Sequence, residues 1–372
     1  MNKNTVALIR GAFLNPNELA NYEKLVPKTK LISFSSKKPL GTSRLIKNQA
    51  FSCPYDYSFG GLTKYVFNRT LGDSHWLIGM EKYLNQFAIL DTADPYYFYS
   101  YQAAKFKQRF PQTKLVCTYC DTLPHNNETT LAKKRLKQLV SSVADLFVVH
   151  TKRSRECLLT EGADAKKIKL IRLGVDLKRF KVLPKTNGRI LSVGRLVPEK
   201  GTWPLYQVFK ELLKKYPQLS LTLVGSGPLE KTIRQDCQKN NLQSKVHIYT
   251  QSFAKIHLEY QQAQIFVLNS KSCETWEEQY GMALIEAMAS GLPIVTTDSG
   301  AIPEVVNKAG IICPQNKTDR LYQALDDLLA HAQKQRWLGH VARTRAEKYF
   351  DSFKFAATIR DNYDQLLNRD SG

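Results

Sequence analysis

Residues 189–201 read RILSVGRLVPEKG. Arg189–Val193 is a short run of apolar β-formers, Gly194 ends it, and Pro198 and Gly201 punctuate the segment beyond. That is the pattern of a strand running into a turn. Leu205–Lys215 then predicts a helix, followed by strand Ser220–Val224, helix Leu229–Asn240 and strands Lys245–Tyr249 and Ile265–Asn269. Met282–Ala289 predicts a helix stopped at Ser290, Gly291 and Pro293, with Ile294–Thr297 as the next strand and helices at Leu321–Leu329 and Gln335–Tyr349. Strands that alternate with helices bury both faces of a parallel sheet. The second half of the chain is expected to be one such α/β unit.

Upstream, Val6–Ile9, Leu115–Tyr119 and Asp145–His150 predict buried strands, and Lys152–Glu161 predicts a helix ending near Gly162. Turn formers gather from Lys181 to Gly188, which marks a domain boundary. The expected division is 1–186, 187–350 and a terminal helix over 351–372, with Phe353, Phe355, Ala356, Ile359 and Tyr363 on its apolar face. A chain of 372 residues exceeds twice the usual domain length of about 150. With 43% hydrophobic and 23% charged residues it is not a disordered or fibrous chain. Apolar runs such as Ile265–Leu268 and Gly310–Cys313 fall far short of the ~20 residues of a spanning helix. Val6–Ile9 is too short for a signal-peptide core, so a cytoplasmic protein is expected.

Charge is uneven. Of 54 Lys and Arg, 31 lie at or before Asn187 against 14 Asp and Glu there, and the whole chain carries +21. Clusters occur at Lys28, Lys30, Lys37 and Lys38, at Lys133, Lys134, Arg135 and Lys137, at Lys152, Arg153 and Arg155, and at Lys166, Lys167 and Lys169. Ala132, Leu136, Leu139, Val140 and Val143 fall on one face of a helix over Thr129–Ala144, flanked by the lysines. Two readings stand: a solvated surface, or a landing patch on anionic lipid to which each cation contributes on the order of 1 kcal/mol. Nucleic acid is not the expected partner, because aromatic residues are not interleaved with the basic clusters. The seven cysteines include one close pair, Cys117 and Cys120, and His125 does not complete a zinc pattern with them.

Four features carry chemistry. Arg195 and Lys200 lie five positions apart in a turn opened by Gly194 and closed by Gly201, so both can converge on a polyanion such as a pyrophosphate, or make ordinary surface ion pairs. Gly225-Ser226-Gly227-Pro228 follows another strand and either admits a nucleotide or merely reverses the chain; it is not a GxGxxG fingerprint. Glu274, Glu277, Glu278 and Glu286 crowd one segment of a basic protein, with Gly281 at a helix entrance. Amides over Gly281–Ala283 could hold phosphate or sugar oxygens while Glu278 and Glu286 accept from hydroxyls; capping and local pairing are the alternatives. His125 follows a strand, as a sugar ligand or a local hydrogen-bonding residue. Gly11 ends the first strand, and Gly60 and Gly61 form another flexible turn.

GRLVPEKG (194–201), GSGPLE (225–230) and EEQYGMALIEAMASGLPIVTTDSGAIPEVV (277–306) together resemble the donor-binding domain of family 4 retaining glycosyltransferases. The resemblance implies the glycosyltransferase-B architecture, two Rossmann-like α/β domains facing across an interdomain cleft, with the terminal helix crossing back to the first domain. It implies that Arg195 and Lys200 bind the donor diphosphate, that Glu286 binds ribose hydroxyls, and that Glu278 and the backbone of Gln279, Tyr280, Gly281 and Met282 bind the donor sugar. Gly11, Gly194, Gly225 and Gly227 complete the expected donor-binding set, Gly11 corresponding by position to the acceptor-side glycine turn, and His125 resembles the first-domain histidine near the sugar.

The implied reaction moves a hexose-type sugar, with retention, from a nucleotide diphosphate to an acceptor hydroxyl, the catalytic set being His125, Arg195, Lys200 and Glu278. No Asp-X-Asp motif occurs, so no metal ion and no cofactor beyond the donor substrate is expected. The basic first half favours a glycolipid or polysaccharide-intermediate acceptor, with the protein in the cytoplasm or peripheral on the inner membrane face. A noncatalytic nucleotide-sugar sensor is the alternative, and a glycoside hydrolase is less favoured, since it needs two carboxyl groups about 5–5.5 Å apart across the scissile bond if retaining. The landing-patch reading expects flotation with anionic but not neutral liposomes; equal lack of binding to both refutes it.

Overall fold

A strand buried along its whole length needs cover on both faces. Thr5–Gly11 (β1) is such a strand, with all seven residues buried. The computed structural model describes residues 5–26, 28–57, 66, 67, 69, 70 and 72–368; Gly60 and Gly61 lie outside these. Two compact units divide the chain, Met1–Leu173 with Ser352–Gly372, and Gly174–Asp351.

In the first unit β1 is joined by β2 (Lys30–Ser36), β3 (Lys47–Phe51), β4 (Ile89–Ala93), β5 (Lys114–Tyr119), β6 (Leu146–Val149) and β7 (Ile168–Leu170). Among the described residues they form a parallel sheet in the order β3-β2-β1-β4-β5-β6-β7. Among its helices are α1 (Pro16–Tyr22), α2 (Phe98–Arg109), α3 (Leu131–Val143) and α4 (Lys152–Thr160). Asn15, Thr130 and Thr151 start α1, α3 and α4 by accepting from the amides of Glu18, Lys133 and Ser154, which satisfies a donor that each first turn leaves open.

The second unit contains β8 (Arg189–Val193), β9 (Ser220–Val224), β10 (Val246–Tyr249), β11 (Ile265–Leu268), β12 (Ile294–Thr297) and β13 (Ile311–Cys313). They form a parallel sheet in the order β10-β9-β8-β11-β12-β13. Its helices are α5 (Thr202–Lys215), α6 (Leu229–Lys239), α7 (Ile256–Gln262), α8 (Met282–Ala289), α9 (Ile302–Val306), α10 (Thr318–Ala330) and α11 (Ala332–Tyr349). In each sheet the strand order reverses beside the first strand, at β1 and at β8. Open α/β sheets take ligands at that reversal, beyond the carboxyl ends of the strands.

The last helix, α12 (Ser352–Asn368), belongs to the first unit. Its Phe355, Ala356, Ile359, Tyr363 and Leu366 share a core with Val6, Leu8, Leu19 and Tyr22. Beneath it Arg10 is buried, donating to Glu18 Oε1 at 2.7 Å, Asp91 Oδ1 at 2.9 Å and the Asp91 carbonyl at 2.8 Å. Asp91 also accepts from the hydroxyls of Tyr22 and Tyr363, so one carboxylate ties β4 to α1 and α12.

Several features differ from the sequence expectations. β2 and β4 are not among the strands expected from the sequence, since buried Ser33 and Ser35 interrupt the apolar pattern of one and Asp91 and Thr92 that of the other; β3 and α2 were not expected either. Residues 174–186 fall with the second unit because Val175 and Phe180 are buried in its core. The basic face of α3 is not wholly solvated: Lys137 is buried on Glu128 and Glu161, and Lys133 lies over the Tyr96 ring. All seven cysteines are free thiols. Among the described residues no helix is long and apolar enough to cross a membrane.

Replacing Arg10 by Met should destabilise the first unit by about 3–5 kcal/mol, since it strands a buried carboxylate. Faster hydrogen exchange of β1 and β4 amides would register the loss.

Candidate functional site

At the carboxyl edge of the second sheet, the loop after β8 and the loop after β11 are pressed together. Gly201 has φ +62, and a Cβ there would lie 1.8 Å from the Asn269 carbonyl oxygen. The Lys271 amide donates to the Glu199 carbonyl at 2.8 Å, and Asn269 Nδ2 to the Gly201 carbonyl at 3.2 Å. Only glycine permits this approach without displacement. It places Lys200 Nζ 2.6 Å from Glu278 Oε2, with the ammonium 5.0 Å from the Trp276 ring centroid. The two sequence motifs therefore meet in one place.

Glu278 is nearly buried and is held from several sides. Ser270 Oγ donates to the same Oε2 at 2.7 Å, and the Glu278 carbonyl accepts from the Ala301 amide at 2.8 Å. Gly300 lets that loop close up, since a Cβ there would sit 2.2 Å from the Glu278 carbonyl oxygen. Ser270 and Ser299, which neighbours the Glu278 amide at 3.4 Å, were not singled out in the sequence. Their one signal is position, just past β11 and β12 at the edge where ligands bind.

Arg195 is exposed beside Lys200's loop, and its guanidinium has no hydrogen-bond or ion-pair partner among the described residues. The space beside Gly194 is open: nothing lies within 4 Å of a Cβ built there. Gly225 and Gly227 serve the neighbouring turn. Side chains there would strike the Gly194 carbonyl at 1.9 Å and the Leu196 carbonyl at 2.4 Å, and the Leu196 amide donates to the Ser226 carbonyl at 2.8 Å. These glycines shape the Arg195 loop by close backbone packing.

Gly281, at φ +74, turns the chain from the Glu278 loop into α8, so Glu278 and Glu286 sit on a loop and a helix instead of one continuous helix. The first amides of α8, at half-buried Met282 and Ala283, are where a helix presents its open donors. Gln279 is exposed, and Tyr280 packs its ring 6.4 Å from Phe350. Glu286 is buried in α8 and accepts from Tyr260 Oη at 2.6 Å through Oε2, while Oε1 has no hydrogen-bond partner among the described residues. Burial pushes its carboxyl up to about 7, against the lowering effect of the Tyr260 hydrogen bond and of Arg179. Tyr260, from α7, was not legible as a site residue: an aromatic on a helix reads as core.

The remaining candidates lie in the first unit. Gly11 ends β1, with the Tyr99 ring 2.9 Å from where its Cβ would be. His125 is exposed at φ +61, with Nδ1 2.9 Å from Glu128 Oε1 and its amide donating to Glu161 Oε1 at 2.8 Å. This histidine, Glu128, Lys137 and Glu161 line a pocket of about 480 Å³. Ligand atoms of His125, Glu128 and Glu161 lie within 4.8 Å of one another, a geometry that could hold a metal ion, but the Lys137 ammonium already contacts both carboxylates.

Known proteins resemble the two units unequally. Residues 176–345 match the family model of Glycosyl transferases group 1. An uncharacterized glycosyltransferase of Haemophilus influenzae is 30% identical over 176 residues, 46% of this chain and 48% of that protein. A GDP-mannose-dependent alpha-(1-6)-phosphatidylinositol monomannoside mannosyltransferase of Mycolicibacterium smegmatis is 27% identical over 188 residues, 46% of this chain and 49% of that protein. The chain thus spans about half the length of these two relatives. The crystal structure of Anabaena HepE in complex with UDP superimposes with a TM-score of 0.78 at 17% identity, covering 97% of this chain and 100% of that one. The two parallel-sheet, Rossmann-like units are those of the glycosyltransferase-B fold.

The raised carboxyl of Glu286 ties stability to pH. Its folded value of about 7 lies above the unfolded value near 4.5, so its contribution to stability is lost as pH rises between the two, by roughly 3 kcal/mol. Glu286→Gln should therefore gain stability over the parent at pH 8 but not at pH 4, read from denaturant unfolding at the two pH values.

Proposed function

We propose that the chain is a retaining glycosyltransferase, moving a hexose-type sugar from a nucleotide diphosphate to an acceptor hydroxyl. The observation that carries this reading is the Lys200–Glu278 contact at the strand-order reversal of the second sheet, beside unpartnered Arg195 and the start of α8. A cation pair, an amide-bearing helix start and a hydrogen-bonding carboxylate are what a leaving diphosphate with an attached sugar requires. The group 1 match over this unit and the UDP in the HepE crystal structure support it.

In this reading Lys200 moves between two anions. With the site unfilled it neutralises Glu278; with donor bound, Lys200 and Arg195 lie on the diphosphate and stabilise the charge that grows as the glycosidic bond breaks. Glu278, still held by Ser270, accepts from hydroxyls of the sugar. Glu286 presents Oε1 to the ribose hydroxyls. The acceptor oxygen attacks from the face the diphosphate leaves, and the departing phosphate takes its proton, so no protein carboxylate bonds to the sugar. The side-chain cations and amides do this without a divalent ion, so activity should withstand EDTA.

The first unit takes the acceptor, a lipid-linked or polysaccharide intermediate. Its concentration of cations and the phosphatidylinositol monomannoside named for the Mycolicibacterium relative support that choice.

A donor-by-acceptor screen should yield a nucleoside diphosphate and a glycosylated acceptor; free sugar alone would mean hydrolysis, and binding without turnover a sensor. Lys200→Ala should lower transfer about 10²–10³-fold and weaken nucleoside diphosphate binding. Glu278→Gln should lose transfer while nucleoside diphosphate affinity, measured by calorimetry, is preserved or raised, since Lys200 no longer has to leave a carboxylate. Wild-type rates in both variants would refute the assignment.

A further inference from the structure

The first unit contains a buried histidine that none of the motifs includes. Asp73 Oδ1 lies 2.7 Å from His75 Nδ1, while Asp73 Oδ2 accepts from the His75 amide at 3.2 Å and from the Phe98 amide at 2.8 Å. Phe98 opens α2, so the carboxylate is fixed by a helix start and in turn fixes the imidazole. An aspartate on Nδ1 holds the tautomer with hydrogen there and leaves a lone pair on Nε2. His75 is 4% exposed, and Nε2 has no hydrogen-bond partner among the described residues. Ser74 Oγ and Tyr99 Oη are likewise buried and without a partner among the described residues; Ser74 precedes His75 in the chain, and the Tyr99 ring centroid lies 6.5 Å from that of the imidazole. Buried polar atoms are ordinarily satisfied, and an orphaned ring nitrogen calls for a ligand or ordered water.

The surroundings narrow the choice. The imidazole stacks on Tyr55 at 4.3 Å and meets Phe13 at 4.8 Å and Tyr97 at 5.0 Å, and all three rings are half-buried. Phe13 follows β1 and Tyr97 follows β4, adjacent strands at the reversal of the first sheet. A lone-pair acceptor within an aromatic wall matches a pyranoside, which offers O–H donors at its rim and C–H groups on its faces.

We propose that the Asp73-held His75, with Phe13, Tyr55 and Tyr97, forms the saccharide subsite of the first unit, Nε2 accepting a hydrogen bond from a hydroxyl of the acceptor sugar. This rests on the reading that the first unit takes the acceptor. Entry of the sugar requires one of the half-buried rings to turn aside.

The test uses the full chain labelled with ¹⁵N at the histidine rings, titrated with methyl α-glucopyranoside, methyl α-mannopyranoside and methyl β-galactopyranoside. The expected result is movement of the His75 Nε2 resonance by at least one of them. If none moves it, Nε2 faces a resident water or nothing, and the proposal fails. In the transfer assay, His75→Asn, which has no acceptor at the Nε2 position, should raise acceptor KM about tenfold or more, and His75→Gln should restore much of it. Equal KM in all three proteins overturns the proposal. Calorimetry with UDP, GDP and ADP separates the two failures: no nucleoside diphosphate binding by the wild type defeats the donor reading, whereas binding with an unmoved His75 defeats only the saccharide subsite.

Discussion

The chemistry of the second unit depends on one close approach, Gly201 against the carbonyl of Asn269. Parallel strands β8 and β11 set their following loops side by side, but strand spacing alone would leave a lysine and a glutamate on those loops free to point elsewhere. Backbone contact removes that freedom. With Lys271 bonded to Glu199 and Asn269 to Gly201, the two loops act as one platform, and this platform sets the Lys200–Glu278 pair. The burial of Glu278 is tolerable for the same reason: a cation and a serine hydroxyl offset the loss of water around its carboxylate.

Much of this platform was legible in the sequence. Arg189–Val193, Ser220–Val224, Ile294–Thr297 and Met282–Ala289 have the limits that periodicity and turn residues predict, because apolar runs there are bounded by glycine, proline or serine. The first unit was harder to read. β4 carries Asp91 and Thr92 in its centre, and an interior acid argues against a strand until Arg10, Tyr22 and Tyr363 are seen to satisfy it. Such partners are far apart along the chain, so no local window contains the compensation.

The same limit applies to the site residues. Lys200, Glu278 and Glu286 stand out because glycines and unusual charge surround them. Ser270, Ser299 and Tyr260 do not, since their importance lies in what they touch. His75 is the extreme case: its aspartate is two residues away, but its aromatic neighbours come from three separate loops. His125, prominent in the sequence, makes its contacts within a local network with Glu128, Glu161 and Lys137.

The assignment of α12 to the first unit has a consequence for biosynthesis. Val6, Leu8 and Tyr22 emerge from the ribosome early, yet part of their apolar cover is Phe355, Ile359 and Tyr363, translated after the whole second unit. During elongation that strip stays wet while the second unit, whose chain is contiguous, can already collapse. The first unit therefore reaches its final packing only after the whole second unit has been translated, because its apolar strip waits for partners more than 300 residues further along the chain.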